Sequence, residues 1–600
     1  MGYRLRLLRV DLDRRDYSVE EIDSGLTAKF IGGRGIAAKL LYDELERGID
    51  PLGPENKLIV AAGPLTGQRL PSSGKLVLAA KSPSTLSYGD GNIGTRSAIQ
   101  MRKAGFDVMV FEGAASDPLQ VHVSDGEVQF KKRDDLWGQD TFYKEEKLSE
   151  ELGEGAGRLV IGPGGENLVR YANVISQNGR AGGRTGMGAV MGSKNLAAIT
   201  LKGSGDIPVR DEEKLRKLST RAYQEIKEKE DYDFWIRQGT VQVVDWCQAN
   251  STLPTHNFQE GVFQAADDVD GYALEEHKSG RRGCPNCNMQ CGNVMPDADG
   301  KEAELDYENL AMLGPNLGIG DLQEVAALNR LCDKYGLDTI STGSSIAFAM
   351  ESAEKGIIDE DLSFGDYPAA RRLLRDIVKR RGLGDQLAEG TKRAASSFGG
   401  GSSAWAMQIK GLEISAYDCH TLPGMALAYG TCSIGAHHKD SWLISWEVEN
   451  DREGYGDGKI EELIAQQRKR GGAFEAFTTC RLPWIEVGFS LDWYEKFFRA
   501  VTGEERSWED FDRVGDRIYS LIRSFSVEEA EERGQGWSKE EDVPPDRWFD
   551  DPLTKGNYKG GTLDREKYFD MLDRYYKRRG WDERGRPTRE RIEELDLSIR

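Results

Sequence analysis

The chain has 600 residues, 38% of them apolar, which is enough for several cores, so two to four domains are expected from length alone. A formal charge of −21 and a pI near 5.0 oppose a nucleic-acid partner or an anionic membrane surface, since both would repel the chain. With no run of 18 apolar residues and no charged-then-apolar leader, the expectation is a cytoplasmic protein without a membrane span, whose thiols stay reduced.

Residues 1–207 read as mainly β. Residues 57–62, 75–80 and 106–111 are short β-rich runs cut by Gly and Pro, and residues 121–130 alternate on both sides of Asp125-Gly126, a strong hairpin signal. A helix is expected from Ile36 to Leu45. Residues 162–192 contain nine glycines, too many for a regular element, so backbone must come close to something there.

From residue 208 the pattern turns helical. Asp211-Glu-Glu-Lys-Leu supplies an acidic first turn, and Leu322, Val325, Ala326, Leu328, Leu331, Cys332 and Tyr335 recur at helical spacing and stop at Gly336, a plausible C-cap. Residues 208–405 are expected to form one mainly helical domain and residues 406–600 another. The latter is rich in Trp, Tyr and Phe, with helices near residues 459–470 and 564–578 and a charged tail from Trp548 wrapping the surface.

Cys284, Cys287 and Cys291 stand in Gly-Cys-Pro-Asn-Cys-Asn-Met-Gln-Cys-Gly, a C-x2-C-x3-C triplet that reads as a metal site. Soft thiolates select an iron–sulfur cluster or zinc, and a [4Fe-4S] cluster needs a fourth thiolate. Cys247, Cys332, Cys419, Cys432 and Cys480 remain as candidates for it. Structural zinc is the plainer alternative, although no second close pair of cysteines exists. Separately, Asn178-Gly-Arg-Ala-Gly-Gly-Arg-Thr-Gly suits a polyanion: glycines expose N–H groups, and Arg180 and Arg184 offer bidentate donors.

Four stretches taken jointly, Pro51-Leu-Gly-Pro-Glu-Asn-Lys-Leu-Ile-Val-Ala-Ala-Gly-Pro-Leu-Thr-Gly, Gly188-Ala-Val-Met-Gly-Ser-Lys-Asn-Leu, the cysteine triplet and Asp333-Lys-Tyr-Gly-Leu-Asp-Thr, resemble the tungsten-dependent aldehyde:ferredoxin oxidoreductase family over essentially the whole length. The resemblance implies an α+β fold: an N-terminal saddle of two β-sheets, residues 1–207, under two mainly helical domains. It implies a tungsten bis-pyranopterin cofactor (tungstopterin), a Mg2+ ion bridging the two pterin phosphates, and a [4Fe-4S] cluster beside one pterin. Arg180, Ala181, Gly183 and Arg184 then fall at pterin and phosphate contacts, with the Ala181 carbonyl facing magnesium and Asn92 and Gly94 as the second half of that site. Asp333, Leu337 and Asp338 match the first pterin box. Glu475-Ala-Phe-Thr-Thr-Cys-Arg matches the second box imperfectly, with Glu for Asp, and makes Cys480 the fourth cluster ligand and Arg481 its neighbour. Lys75 falls where relatives place an arginine between cluster and pterin and keeps only the charge. Ala327 and Arg330 replace the Glu-x-x-His of an interface iron, so none is expected.

Glu308 and His438 match the catalytic positions, with His437 as competitor for the second. The implied reaction is oxidation of an aldehyde to a carboxylic acid, with electrons passed to ferredoxin or to a ferredoxin-like iron–sulfur subunit joined to a flavin subunit, and the chain is compatible with assembly into an oligomer. Two rival readings share the motifs: the tungsten subunit of an aryl-CoA reductase of the class II benzoyl-CoA type, and a non-catalytic iron–sulfur electron-transfer subunit.

Overall fold

The computed structural model describes residues 2–599. Two six-stranded sheets carry the N-terminal part. The first comprises β1 (Arg6–Asp11), β2 (Asp16–Glu21), β3 (Leu58–Ala61), β4 (Lys75–Lys81), β5 (Tyr88–Gly94) and β6 (Val108–Glu112), in the order β2-β1-β6-β3-β4-β5. The second comprises β7 (Leu119–Ser124), β8 (Glu127–Lys132), β9 (Gly157–Val160), β10 (Val174–Ser176), β11 (Arg180–Gly182) and β12 (Leu196–Lys202), in the order β11-β10-β9-β12-β7-β8. β1 and β6 pair in parallel, as do β7 and β12, and every other neighbouring pair is antiparallel.

The apolar runs read as strands are continuous because the first sheet is covered on both faces. Leu76 and Leu78 of β4, with Leu58, Val60 and Met109, pack toward the second sheet and meet Leu119, Val121, Leu159 and Ile199. The alternate residues Val77 and Ala79, with Ile59 and Val108, face the opposite way, against Phe474, Phe477, Phe511 and Leu521 of the C-terminal helices. A strand buried on both sides loses its alternation. Each fully buried Val, Leu or Phe side chain contributes about 1.5–3 kcal/mol of transfer free energy. The β7–β8 hairpin turns at Asp125 and Gly126, with φ of 48° and 93°, as its sequence requires.

Helices follow their capping signals. Asp211 accepts from the Lys214 N–H at the start of Glu212–Lys227, and Leu322–Tyr335 ends at Gly336 with φ 72°. The helix expected near 459–470 starts at Asp457, changes to π-helical winding over Gln467–Ala473 and continues through Phe474–Phe477. The tail does more than wrap the surface. Trp548, Tyr568, Met571 and Tyr575 have no exposed surface and belong to the same core as Leu310, Val325 and Phe348, because the tail's aromatic residues, not its charges, decide its placement.

A small three-stranded sheet, β13 (Gly280–Arg282), β14 (Gly292–Pro296) and β15 (Glu302–Leu305), positions the cysteine triplet. Arg282 pairs with Gly292, so residues 283–291 form the loop of a hairpin whose base is fixed.

Candidate active site

The edges of the two large sheets meet. A Cβ on Gly91 of β5 would lie 1.8 Å from the Gly183 nitrogen, and one on Gly182 of β11 would lie 2.6 Å from Ile93, so only glycine permits this approach. It brings Asn92 and Gly94 beside Arg180 and Ala181 at the floor of a cavity of about 640 Å3, whose lining also includes Lys75, Asp333, Leu337, Glu308, His438, Arg481 and all four of Cys284, Cys287, Cys291 and Cys480. The glycine-rich segment has a second use: Gly162 and Gly164 lie against the backbone of Tyr335 and the side chain of Leu337, seating the end of Leu322–Tyr335 so that Asp333 faces the cavity.

The cysteine loop is clamped by residues that the sequence did not single out. The carbonyls of Asn286, Asn288 and Met289 accept from Tyr223, Tyr232 and Trp235 at 2.8, 2.8 and 2.7 Å. The Cys480 N–H donates to the Ser72 carbonyl at 3.0 Å, and the Ser72 N–H donates to the Asn286 carbonyl at 2.8 Å, so Ser72 stitches the fourth cysteine to the triplet. Gly94 serves this loop more than the polyanion floor, since a Cβ there would stand 2.0 Å from the Cys284 sulfur. Cys247, Cys332, Cys419 and Cys432 are buried elsewhere, and no cysteine forms a disulfide among the described residues.

Burial and the charges of Cys284 and Cys480 push the Cys287 thiol up to about 12, and burial with Asp306 pushes Cys291 well up. Such thiols ionise only around a cationic centre that offsets the cost. Four soft sulfur donors lining one cavity are the donor set an iron–sulfur cluster takes. Burial alone would lower Lys75; the charges of Cys480 and Cys284 more than offset it, so the ammonium is held up between them.

Several polar atoms of the lining lack partners: Oδ1 of Asn92, Oδ1 of Asn173 and Nε of Arg481 are buried without a hydrogen bond. Asp333 is buried, and burial with the charges of Glu304 and Asp306 pushes its carboxyl well up. Cations at Lys75, Arg180 and Arg481, orphaned donors and acceptors, and the Asp333 carboxyl together suit a phosphate-bearing heterocycle with N–H groups. Arg180 reaches Glu304 at 2.8 Å and still borders the cavity.

Two expected contacts lie behind the wall. Arg184 donates to Ser415 (3.3 Å), to the Ala436 carbonyl (2.9 Å) and to the Glu413 carbonyl, and pairs with Asp338 at 3.2 Å. Asp338 in turn caps the helix Thr339–Glu354. Neither borders the cavity, and neither does Gly183, whose φ of 93° serves the turn into Met187–Ser193. The reason is local: burial requires the Arg184 charge to be paired, and the nearest oxygens belong to the protein. Glu475, of the imperfect box, is likewise engaged, with Asn92 Nδ2 at 3.1 Å, Lys439 at 3.4 Å and Arg481 at 3.8 Å.

Glu308 stands in the first turn of Tyr307–Leu313, its Oε2 accepting from the Ala416 N–H at 3.0 Å. Burial pushes its carboxyl up to about 7, opposed by that N–H and by the Arg184 charge. His438 Nδ1 lies 3.0 Å from Glu308 Oε1 but off the line of a good hydrogen bond, so both atoms keep free capacity. Burial and the charges of Arg481 and Arg470 hold His438 well below its ordinary value and keep it neutral. Of the two adjacent histidines only His438 borders the cavity; His437 Nδ1 accepts from the Lys439 N–H at 3.2 Å.

The outer part of the cavity has its own chemistry. Tyr417 stacks on Tyr307 at 5.2 Å and meets His438 and Trp442 edge-on at 5.5 and 5.7 Å. Arg470, on the π-helical stretch, donates to the carbonyls of His438 (3.1 Å) and Lys439 (3.4 Å) and has no carboxylate in ion-pair range among the described residues. Burial and the Arg481 charge lower it to about 9. Glu486 opposite is pushed by burial up to about 7. Tyr417, Arg470 and Glu486 were not foreseen; a buried arginine is invisible in a segment whose neighbours, Lys469 and Arg468, face solvent in part.

The sequence pattern described as the N-terminal domain of aldehyde ferredoxin oxidoreductase matches residues 7–203, and that of its domains 2 and 3 matches residues 217–597. The tungsten-containing aldehyde ferredoxin oxidoreductases of Pyrococcus furiosus and Thermococcus kodakarensis are each 35% identical over 99% of this chain and 98% of their own. The WOR-like subunit of an aliphatic sulfonate oxidoreductase from Pyrococcus furiosus is 31% identical over 99% and 97%. The active-site complex BamBC of benzoyl coenzyme A reductase, solved with 1,5-dienoyl-CoA, superposes with a TM-score of 0.83 over 99% of this chain and 97% of that one, at 23% identity, a likeness of fold. On these matches over essentially its full length, the chain belongs to the aldehyde ferredoxin oxidoreductase family.

Proposed function

We propose that this enzyme oxidises an aldehyde to the carboxylic acid (RCHO + H2O → RCOOH + 2H+ + 2e−) and hands the electrons to a ferredoxin or a ferredoxin-like subunit. The observation that carries the reading is one cavity shared by the four cysteines, the orphaned polar floor and the Glu308–His438 pair. Cys284, Cys287, Cys291 and Cys480 would hold a [4Fe-4S] cluster. Lys75, Asn92, Ala181, Arg180 and Asp333 would hold a bis-pyranopterin with its phosphates and their Mg2+. When bound, the tungsten centre supplies the two-electron change and the cluster a one-electron exit.

The protein's own part is proton and charge management. A neutral His438 carries one proton. With that proton on Nε2, His438 can hydrogen-bond the aldehyde oxygen and make the carbonyl carbon more electrophilic. With Glu308 ionised, the carboxylate accepts a proton from water as the new C–O bond forms. A carboxyl near 7 is poised for both states at neutral pH. Arg470 and Arg481 provide cationic charge for the carboxylate product and for an aldehyde that bears a second anionic group.

Among the described residues no helix is long and apolar enough to cross a membrane. We place the enzyme in the cytoplasm, where its thiols stay reduced. The test is Glu308→Gln assayed with a panel of aldehydes and a viologen dye: turnover should fall by about 10²–10⁴-fold with metal content unchanged. Undiminished turnover, or CoA-thioester turnover without aldehyde oxidation, would reject the reading.

A further inference from the structure

At the far end of the β4–β5 hairpin, away from Lys75 and Gly94, lies a second cavity of about 220 Å3. It is bounded by the turn after Lys81, the helix Thr391–Phe398, residues 433–435 and the chain that follows Trp508–Glu532. No residue of the first cavity lines it. In a chain of net charge −21 its lining has four cations, Lys392, Arg393, Lys410 and Arg533, and one acid, Glu541.

Two of the cations are already matched: Lys410 reaches Asp542 at 2.5 Å and Arg533 reaches Glu529 at 3.5 Å. Arg393 is not. It donates to the carbonyls of Ser84 (3.1 Å), Pro83 (3.1 Å) and Glu389 (3.3 Å), while the nearby Glu389 carboxylate is held by Arg170 and Arg380. Burial and the Arg170 charge lower Arg393 to about 10, the mark of a guanidinium short of a counter-charge. Two more lining atoms lack partners. Trp537 is 5% exposed and its indole N–H, which can only donate, bonds to nothing; the Thr85 hydroxyl is also unpartnered.

A cation would meet repulsion here, and water would satisfy the donors but leave the Arg393 charge unmatched. An anion rich in acceptor oxygens answers both. The volume lies below the ~300–1,000 Å3 of pockets that take drug-sized ligands, which excludes a nucleotide. We propose that this cavity binds a small tetrahedral oxyanion, inorganic phosphate or the phosphate group of a small phosphomonoester. The occupant would touch Ser433 and Gly435, on the segment that runs into His438.

The test is equilibrium dialysis of the holoenzyme, purified without phosphate, against inorganic phosphate and separately against glycerol phosphate. The wild type should bind one anion per chain saturably, and phosphate should slow amide exchange at residues 84–88 and 433–435. Arg393→Gln and Lys392→Glu should each weaken binding at least tenfold with iron content unchanged. Lys392 is exposed, so its variant decides the matter if Arg393→Gln fails to fold. Tighter binding of glycerol phosphate assigns a phosphomonoester, and tighter binding of inorganic phosphate assigns the free ion. Absence of saturable binding of either, or wild-type binding by the folded variants, overturns the proposal.

Discussion

Replacing Gly94 with alanine tests whether Cys284 is held where a cluster needs it. The added Cβ would stand 2.0 Å from the Cys284 sulfur and 3.1 Å from its Cβ, where ordinary contact is about 3.5–4.0 Å. One of the two must give way by about 1.5 Å, the shortfall against that contact distance. The loop cannot move as a body. A Cβ on neighbouring Gly74 would already be 2.4 Å from the Pro285 carbonyl, Asn286 is bonded to Gln68 and Ser73 at 3.0 and 3.1 Å, and Tyr223 holds its carbonyl. The sulfur must therefore rotate away, further than a metal–sulfur bond of about 2.3 Å tolerates. Overpacking of this kind costs about 1–3 kcal/mol in stability, so the chain should still fold. We expect iron and labile sulfide to fall below the wild-type content and the spin signal of the reduced cluster to change. Gly155→Ala, which meets nothing within 4 Å, is the control and should be silent. Full iron content and an unchanged signal in Gly94→Ala would refute the placement of Cys284.

Other outcomes follow from the same geometry. Because Glu308 must be ionised to accept a proton and its carboxyl is raised to about 7, kcat/KM for an aldehyde should climb as pH rises through that region, and the Glu308→Gln residue should lose this limb. Arg470→Gln should raise KM for carboxylate-bearing aldehydes by about ten- to a hundredfold, the worth of a charge-assisted hydrogen bond, and leave neutral aldehydes nearly unaffected. Arg34, Asp90, Lys439 and Asp440 form a buried network in which Arg34 pairs with Asp90 at 2.5 Å and Asp440 at 2.8 Å, with no exposed surface on any of these three. Arg34→Met takes from Asp440 its ion-pair partner and leaves Asp90 with Lys439 alone, and should cost about 3–5 kcal/mol, read as a shortened half-life on heating. The charges of Arg34 and Lys439 hold Asp440 well below the carboxylate range despite burial, so this contribution is fully present above about pH 4, the ordinary carboxyl value, and fades as pH falls below it.

Residues whose role is written in spacing or capping were legible in the sequence. The Asp125-Gly126 hairpin, Gly336 as a C-cap and the acidic first turn that follows Asp211 come from local chemistry, and the structure has each of them. What local reading could not supply is convergence. Nothing near Cys480 signals that it meets the triplet through Ser72, and nothing near Gly94 shows that its missing side chain makes room for a sulfur 190 residues later. Arg184 and Asp338, expected at the cofactor, pair with each other at 3.2 Å and do not border the cavity. Arg470, on the π-helical stretch, and Glu486, on the helix Leu482–Val487, owe their meaning to the cavity lining they share. The charged tail misled because its apolar and aromatic residues, Trp548 to Trp581, outweigh its charges in deciding burial.

Metal analysis of the protein purified without oxygen tests the central claim most directly. Convergence of four cysteines beside a polar, cation-lined cavity predicts about four irons with equal labile sulfide and one tungsten per chain, the tungsten leaving together with pterin on denaturation. Zinc in place of iron, or iron without any pterin-bound metal, would contradict it.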